Sequence, residues 1–462
     1  MNPFEFAPMT RRDYSWFRMD AGKNLMVINS VLVFEGRLDF EELRATIEHR
    51  LPNYPRFTQV VAKRNGAPCW VRDPAFDIRR HVEFTQLDQE FNDAELQQHF
   101  AAQALHALPH ERPLWHMQVV QHRGSGYAIV FRLHHCITDG EGLMHVLKHL
   151  TDDSHDHGFA PALEGHPQHC RAVVNPICKK AQRLLFWSRI SAQLARLTLL
   201  RPDLRTRLKA PLSREKSLLL LPPLDLAMLR SVAKRMNATI NDVWVAAVAG
   251  ALRQYLQEQG ERVDERAVRG AVTFNLRNKG DAFLLGNHFG LVAVDLPTRE
   301  ADASEQLRQT NRHMRAIKAS HQPHATMFFL TLTGFLPRLL QNLLLKIFTS
   351  KGSVVLTNVE GPTQLRYLAG ARLSRMACWV PQAGTMGVGF ALMSYAGQIQ
   401  VSLFADHAQV ADAPRLMALV GEAFTRLELA TREQAAPATS PEPLPAQALA
   451  GADALLSSGS SA

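Results

Sequence analysis

Two histidines stand directly before a Cys-Ile-Thr-Asp-Gly run in this chain, at residues 134–140. A neutral imidazole is the side chain best suited to accept a proton near pH 7, so His134 and His135 are candidate general bases. Asp139, four residues after His135, can hold the loop around it, and Gly140 lets a ligand approach the backbone. The alternative is a strand end that turns into a polar loop. The Asp-Gly at this spacing favours the catalytic interpretation.

Alternating strands and helices must position this motif. Residues 127–133 predict a buried strand, since they are apolar except for Arg132. The Arg-Gly-Ser-Gly sequence before them predicts a hairpin to a strand at 115–120. Further predicted elements are strands at 25–34 and 56–61 and helices at 40–49, 92–105 and 142–150. Together they predict an α/β N-terminal half.

A second half of similar character is predicted from residue 218. The predicted helices cover 224–236, 243–256, 304–320 and a stretch from Asp406 or Asp412 to 429, and the predicted strands cover 268–274, 289–296, 353–356, 387–393 and 398–404. An apolar stretch at 327–348, broken by Gly334 and Pro337, predicts core helices, with the wall of an apolar tunnel as the alternative. The predicted domains are 1–155 and 218–432, joined by a basic helical crossover at 156–217 and followed by a disordered tail at 433–462.

The composition is typical of a soluble globular protein, with 46% hydrophobic and 21% charged residues among 462. That length favours two domains. No run approaches the roughly 18 apolar residues of a membrane span, and the N-terminus does not resemble a signal peptide. The five scattered cysteines predict reduced thiols in a cytoplasmic protein. Cys136 is better interpreted as a small buried residue than as a nucleophile.

The net charge of +9 is concentrated between residues 160 and 216, which hold 12 Lys and Arg against 3 Asp and Glu. Such a segment could lie on an anionic membrane or lipid droplet, or hold a phosphate-bearing molecule such as coenzyme A. A solvated linker helix is the alternative to membrane contact. No nucleic-acid recognition motif is present, so a nucleic-acid partner is not predicted. Neither a metal-ligand spacing nor a nucleotide-binding loop is found, so no metal site is predicted.

The His-His-x-x-x-Asp-Gly pattern resembles the coenzyme A-dependent acyltransferase superfamily and its condensation-domain relatives. Four further motifs, in order, make the chain similar to the bacterial wax ester synthase/diacylglycerol acyltransferase family from about residue 9 to 429. They are Pro-Leu-Trp at 113–115, Asn-Asp at 241–242, Gly-Asn-x-x-Gly at 286–290 and Thr-Asn-Val-Glu-Gly-Pro at 357–362. Family members commonly have Pro at Glu360 and often Ser at Thr357, and Glu141 is also unusual. These departures concern the acceptor substrate.

The resemblance implies an α/β protein of two domains with the chloramphenicol acetyltransferase-like fold, each a mixed sheet flanked by helices, with the active-site channel between them. Acyl-CoA, as a co-substrate and not a permanently bound cofactor, would enter from one face and the alcohol from the other. Deep clefts do favour domain interfaces. The protein is accordingly expected to be cytoplasmic or peripheral on the inner membrane surface or on lipid bodies.

The expected roles follow. His135 is the candidate general base, and His134 is structural. By resemblance, the carboxylate of Asp139 turns away from the channel and pairs with an arginine, for which Arg277 is the predicted partner. Three further residues have open roles. Asn241 is an N-cap or a substrate-orienting donor, Asn358 orients the carbonyl or belongs to a turn, and Trp115 is core or a wall of the acyl pocket.

The predicted reaction is transfer of a long-chain acyl group from acyl-CoA to a fatty alcohol or a diacylglycerol. One alternative is a condensation-type enzyme with an amine or another acceptor, and a second is a degenerate lipid-binding protein. The intact His135, Asp139 and Gly140 argue against the second. Acyl chain length, choice of acceptor and oligomeric state do not follow from the sequence.

Overall fold

The computed structural model describes residues 4–20, 25–36, 39–85, 92–121, 126–155, 176–277, 285–382 and 384–435. Its strands are β1 (Phe6–Pro8), β2 (Val27–Glu35), β3 (Gln59–Arg64), β4 (Ala67–Arg72), β5 (Val82–Thr85), β6 (Trp115–Gln121), β7 (Tyr127–His134), β8 (Lys216–Leu220), β9 (Leu224–Asp225), β10 (Arg269–Asn275), β11 (Phe289–Asp295), β12 (Val354–Glu360), β13 (Tyr367–Leu368), β14 (Ala371–Trp379), β15 (Val388–Tyr395) and β16 (Gln398–Asp406). Its helices are α1 (Arg11–Met19), α2 (Phe40–Arg50), α3 (Asp93–Gln103), α4 (Gly140–Leu150), α5 (Pro176–Leu199), α6 (Leu226–Arg235), α7 (Ile240–Glu258), α8 (Ala303–Lys318), α9 (Gln322–Thr333), α10 (Arg338–Thr349) and α11 (Ala413–Ala435).

Two mixed sheets form the two halves. The N-terminal sheet has the order β13-β14-β2-β7-β6-β5, and the C-terminal sheet has the order β11-β10-β12-β15-β16-β8, with β9 beside β16. The central strands β2 and β7 pair antiparallel, with Val27 opposite His134, and β7 is buried along its whole length. A small third sheet has the order β1-β4-β3. Each large sheet contributes to its own apolar core.

The predicted contiguous domains need one correction. Strands β13 and β14, although they fall within the predicted 218–432 domain, belong to the N-terminal sheet, where β14 pairs antiparallel with β2. The flanking strands β12 and β15 pair with each other in the C-terminal sheet. The chain therefore crosses from the C-terminal half to the N-terminal half and back. No strand was predicted at 371–379, so the exchange was missed.

Local chemistry explains where the elements begin. Pro55 starts a single 3-10 turn at Pro55–Phe57, so the strand predicted at 56–61 begins only at Gln59. Thr239 is the N-cap of α7, in a capping box with Asp242. The N-cap interpretation of Asn241 was wrong, because Asn241 is the second residue of that helix. The last helix follows Asp412, which accepts a hydrogen bond from Arg415 N (2.9 Å).

The crossover and the tail are described in part. α5 confirms a helix within the predicted 156–217 segment, whereas residues 156–175 lie outside the described part of the chain. α11 runs to Ala435, beyond the predicted end at 429, so the predicted tail at 433–462 starts inside this helix. Residues 436–462 also lie outside the described residues, as do residues 122–125, which include most of the turn predicted at 123–126.

The apolar stretch at 327–348 forms α9 and α10, separated at Gly334–Pro337 as the sequence predicts. α9 has Leu330 in the core, but α10 exposes Leu339, Leu340 and Leu343, while Leu345 packs against the core. The prediction that the whole stretch is core was therefore wrong for the exposed face of α10. In the part of the chain that the structure describes, no helix combines the length and the apolar character that crossing a membrane requires.

Candidate active site

A cleft with an empty volume of about 1040 Å³ lies between the two sheets. The N-terminal half contributes α1, β2 and the motif loop with the start of α4, and the C-terminal half contributes β10, β11 and β12. The exchanged strand β14 and the residues after it contribute as well. The lining residues are mainly apolar, and they include Trp16, Ile28, His135, Leu143, Met144, Phe289, Leu291, Val355, Cys378, Trp379, Met386 and Met393. Such a cleft suits an aliphatic chain.

His135 lies at the end of β7 and reaches into this cleft. Its ring stacks on Trp16, with ring centroids 4.3 Å apart and planes within 8°, and Phe289 lies 5.4 Å away. The residue is only 7% exposed, and Nδ1 bonds to no other residue of the described chain. Burial lowers the pKa of His135 below its ordinary value of 6.5. The ring is therefore neutral at pH 7 and can accept a proton.

The backbone of His135 is held from both halves of the molecule. Its N–H donates to Met26 O in the N-terminal half (2.7 Å), and its carbonyl accepts from Nδ2 of Asn287 in the C-terminal half (2.7 Å). Asn287 is in turn held by the buried Asp13 of α1, whose Oδ1 accepts from Asn287 N (3.1 Å) and Nδ2 (2.9 Å). The contacts that orient the candidate base thus form only when both halves are assembled.

A second contact fixes the next turn of the loop. Arg56 Nη1 donates to Ile137 O (2.6 Å) and lies 3.3 Å from Asp13 Oδ2. Asp13 therefore links the loop to Asn287 on one side and to Arg56 on the other. Cys136 between them is fully buried, and burial raises the pKa of its thiol, so it stays protonated and does not act as a nucleophile.

The predicted ion pair between Asp139 and Arg277 is present. Arg277 Nη2 lies 2.7 Å from Asp139 Oδ1, and both side chains are almost fully buried. The same Oδ1 accepts from Gly142 N (3.0 Å), which makes Asp139 the N-cap of α4, and Oδ2 accepts from His288 N (2.8 Å). The carboxylate is thus saturated by the loop, its helix and the other half. Its geometry is that of a structural group, not of a proton carrier.

His134 has a structural environment. It is fully buried, its Nδ1 accepts from Cys136 N (3.1 Å), and its Nε2 lies 3.8 Å from Asp20 Oδ2. Burial is the main cause that lowers the pKa of His134 to about 3. Because His134 does not line the cleft, it has no access to a substrate there.

Two glycines let the start of α4 pack closely. Gly140 lines the cleft, but a Cβ there would meet Val359 Cγ2 at 3.2 Å, so its immediate role is contact with β12. At Gly142, a Cβ would meet Thr138 Oγ1 at 2.0 Å. Any side chain at Gly142 would therefore displace the loop that carries Asp139.

Asn358, predicted as an orienting residue or a turn residue, lies within β12 and lines the cleft. The turn interpretation was therefore wrong. The neighbouring Thr357 also lines it, and its Oγ1 lies 3.0 Å from Oγ1 of Thr273 on β10. Glu141, at the start of α4 on the N-terminal side, also lines the cleft, and burial, followed by the nearby charges of Asp139 and Glu360, raises its pKa. These are the polar groups that a bound substrate could contact.

Two predicted residues are absent from the lining of the cleft. Trp115 is fully buried, stacks on His81 and donates from Nε1 to Phe57 O (2.8 Å), so it belongs to the core and the acyl-wall alternative was wrong. Asn241 lies on α7, outside the cleft, so it does not orient a substrate there.

Sequence reasoning missed Asp13, Trp16, Arg56 and Asn287. Asn287 stands in a Gly-Asn-x-x-Gly motif, which was a signal without an assigned role. Asp13 and Trp16 lie three residues apart on one short helix, which is a weak signal that resembles any amphipathic helix. No cluster of three metal-ligating side chains occurs within the described residues.

A two-half α/β fold with a buried histidine facing an interdomain cleft defines an acyltransferase of the His-His-x-x-x-Asp-Gly class. The family model of the wax ester synthase/diacylglycerol acyltransferase catalytic domain matches residues 9–219, and that of the C-terminal domain of the same family matches 285–428. The chain belongs to this family, and it is an acyltransferase.

Related proteins agree with this assignment. A probable diacylglycerol O-acyltransferase, tgs1 of Mycobacterium tuberculosis (strain ATCC 25618 / H37Rv), is 28% identical over 429 residues, which cover 87% of this chain and 91% of the relative. The structure of a wax ester synthase/diacylglycerol acyltransferase from Marinobacter aquaeolei VT8 has a TM-score of 0.68 at 22% identity, over 92% of this chain and all of that one. The first condensation domain of the CDA synthetase has a TM-score of 0.63 at 16% identity, covering 93% and 97%. Both structures share the fold.

Proposed function

We propose that this protein transfers a long-chain acyl group from acyl-CoA to the hydroxyl group of a fatty alcohol or a diacylglycerol, with His135 as the general base. The observation that carries the proposal is the neutral, buried ring of His135 at the wall of an apolar cleft. An apolar cleft accepts aliphatic chains, and a neutral imidazole accepts the proton of an alcohol.

A single residue, His135, can carry out both proton transfers of the proposed reaction. His135 takes the acceptor's hydroxyl proton while the oxygen attacks the thioester carbonyl, which forms a tetrahedral oxyanion. The oxyanion collapses, the C–S bond breaks, and the imidazolium returns the proton to the leaving thiolate. The products are an ester and free coenzyme A. No acyl-enzyme is needed, because the thioester is already activated, and Cys136 is buried and protonated.

Asn358 is the proposed donor to the carbonyl oxygen. It lies on the C-terminal wall of the cleft that His135 enters from the N-terminal side. We expect Asn358→Leu, which keeps the volume and removes the donor, to lower kcat by about 10²- to 10³-fold with little change in KM. The measurement is steady-state kinetics with acyl-CoA varied. An unchanged kcat would show that Asn358 has no part in stabilising the oxyanion.

The proposal includes two acceptors, a fatty alcohol and a diacylglycerol. The mycobacterial relatives are named for diacylglycerol, whereas the Marinobacter protein is named for both wax ester and diacylglycerol chemistry. Glu141 departs from the usual family pattern and lines the cleft. The relatives named for diacylglycerol make it the first acceptor to test.

The proposal is tested by mixing the purified protein with palmitoyl-CoA and one acceptor at a time. The acceptors are hexadecanol, dioleoylglycerol and hexadecylamine, and free thiol release is followed together with lipid products. We expect thiol release that depends on an alcohol and yields an ester. An amide from the amine alone would establish the condensation-type alternative. Tight lipid binding without any acyl transfer would establish the lipid-binding alternative.

A further inference from the structure

α10 exposes several large apolar side chains, whereas its fully buried side chains are polar. Its two fully buried side chains are polar, Gln341 and Thr349, whereas Leu339 is 86% exposed and Leu343 is 54% exposed. Leu339, Leu343 and Ile347 recur every four residues, so they form one stripe that points to solvent. Exposing such a stripe costs free energy unless something covers it.

The stripe continues beyond α10. Phe335, in the turn before the helix, is 62% exposed, and Leu332 at the end of α9 is also exposed. We call the set Leu332, Phe335, Leu339, Leu340, Leu343 and Ile347 the α10 surface. It is contiguous in sequence and larger than the single exposed apolar side chains that are normal on protein surfaces.

The charges around the α10 surface are all positive. Arg338 and Lys346 are exposed on α10, and the Arg11 guanidinium lies 4.7 Å from the Phe335 ring centroid. Residues 319–352 contain no Asp or Glu, and neither does α5, which packs against α9 and α10. A second copy of the chain on this surface would bring like charges together. An anionic lipid surface satisfies both the leucines and the cations.

We propose that the α10 surface docks the protein on an anionic lipid surface, with α10 lying in the plane of the headgroups and Arg338 and Lys346 at the phosphates. This assigns lipid contact to α10, rather than to the basic 160–216 segment alone. The docking proposal stands on the exposed stripe and its charges, whatever the acceptor.

The α10 surface is connected directly to the cleft. Gln341 Nε2 donates to Ser15 O (3.1 Å) and Ser15 Oγ (3.0 Å), and the next residue, Trp16, stacks on His135. α9 also packs tightly on β11, since a Cβ at Gly290 would lie 2.1 Å from Pro323 O. Docking would therefore bring the lipid surface close to α1, the helix whose Trp16 stacks on the candidate base.

The test is flotation of the full-length protein with phosphatidylcholine vesicles, with and without phosphatidylglycerol. We expect binding that needs phosphatidylglycerol and weakens at high salt. Leu339→Gln with Leu343→Gln should bind about tenfold or more weakly, because two leucines leave the acyl boundary. Leu365→Gln with Leu429→Gln is the matched control, since both leucines are exposed elsewhere. All four changes lie at exposed sites, so Tm should not move.

Wild-type binding that the α10 variant retains in full would overturn the proposal. So would a dimer that the α10 variant dissociates, if the wild type does not bind vesicles, because the partner would then be a second copy. A second experiment, which measures activity, rests on the proposed function. The α10 variant should lose activity toward diacylglycerol in vesicles and keep it toward a dissolved short-chain alcohol. If neither acceptor reacts with the wild type, the proposed function fails while flotation still decides the docking.

Discussion

His135→Ala is expected to lower kcat/KM for acyl transfer by about 10²- to 10⁴-fold, or about 3 to 5 kcal/mol of transition-state stabilisation. The reason is that the ring at the wall of the cleft is the proposed acceptor of the hydroxyl proton, and no other histidine is among the described residues that line the cleft. The measurement is acceptor-dependent thiol release from palmitoyl-CoA. His135→Gln, which fills more of the space beside Trp16, should be equally impaired.

His407→Ala is a matched control, because His407 is exposed and lies outside the cleft. It should retain wild-type kinetics. Equal Tm values for the wild type and both His135 variants would separate lost chemistry from lost folding. Wild-type activity in His135→Ala would remove this residue from the mechanism, and His134, which is buried and has a pKa of about 3, could not replace it.

The same histidine sets the expected pH dependence. Burial favours the neutral ring, so its pKa in the folded protein lies below 6.5. The acidic limb of kcat/KM should therefore fall below pH 6.5, and activity should be flat through neutrality. A limb above pH 6.5 would mean that another group controls kcat/KM in the free enzyme.

Asp139→Asn is expected to destabilise the fold by about 3 to 5 kcal/mol, the usual effect of breaking a buried ion pair from one side. Asparagine still caps a helix, so the loss reports chiefly the unpaired charge of Arg277. Because the Asp139–Arg277 ion pair holds the loop that carries His135, kcat should fall together with the free energy of unfolding. Urea unfolding gives the first quantity and steady-state kinetics gives the second.

The double variant Asp139→Asn with Arg277→Met is the sharper experiment. It removes the buried charge along with its partner, so it should be more stable than Asp139→Asn alone. If stability returns but kcat does not, the pair positions the loop. If the losses of stability in Asp139→Asn alone and in Arg277→Met alone add up to the loss in the double variant, the two side chains are not coupled, and the expected ion pair carries no energy.

The sequence predicted the motif chemistry well because that chemistry is local. The spacing from His135 to Asp139 places the base at a strand end and the carboxylate at a helix N-cap, and both positions depend on neighbours within one turn. The Arg277 pairing came from the family resemblance and is confirmed in the structure.

The supports of that motif were beyond local reasoning. Asp13 and Asn287 are far apart in the chain. Nothing in their spacing indicates that the Asp13 carboxylate accepts hydrogen bonds from the backbone N–H and the side-chain amide of Asn287. Trp115 was left open between core and pocket wall, since an aromatic residue near a motif fits either place. In the structure, Trp115 packs in the core, and its indole N–H donates a hydrogen bond to Phe57 O.

Exchange of β14 decides how the cleft can move. Its hydrogen bonds to β2 anchor it in one sheet, while β12 and β15, which flank β13 and β14 in the chain, are fixed in the other. The two halves therefore cannot separate as rigid bodies without breaking the pairing of β14 with β2. A long acyl chain has to slide in lengthwise, and separate expression of residues 1–217 and 218–462 should yield fragments that are insoluble alone and recover only when refolded together.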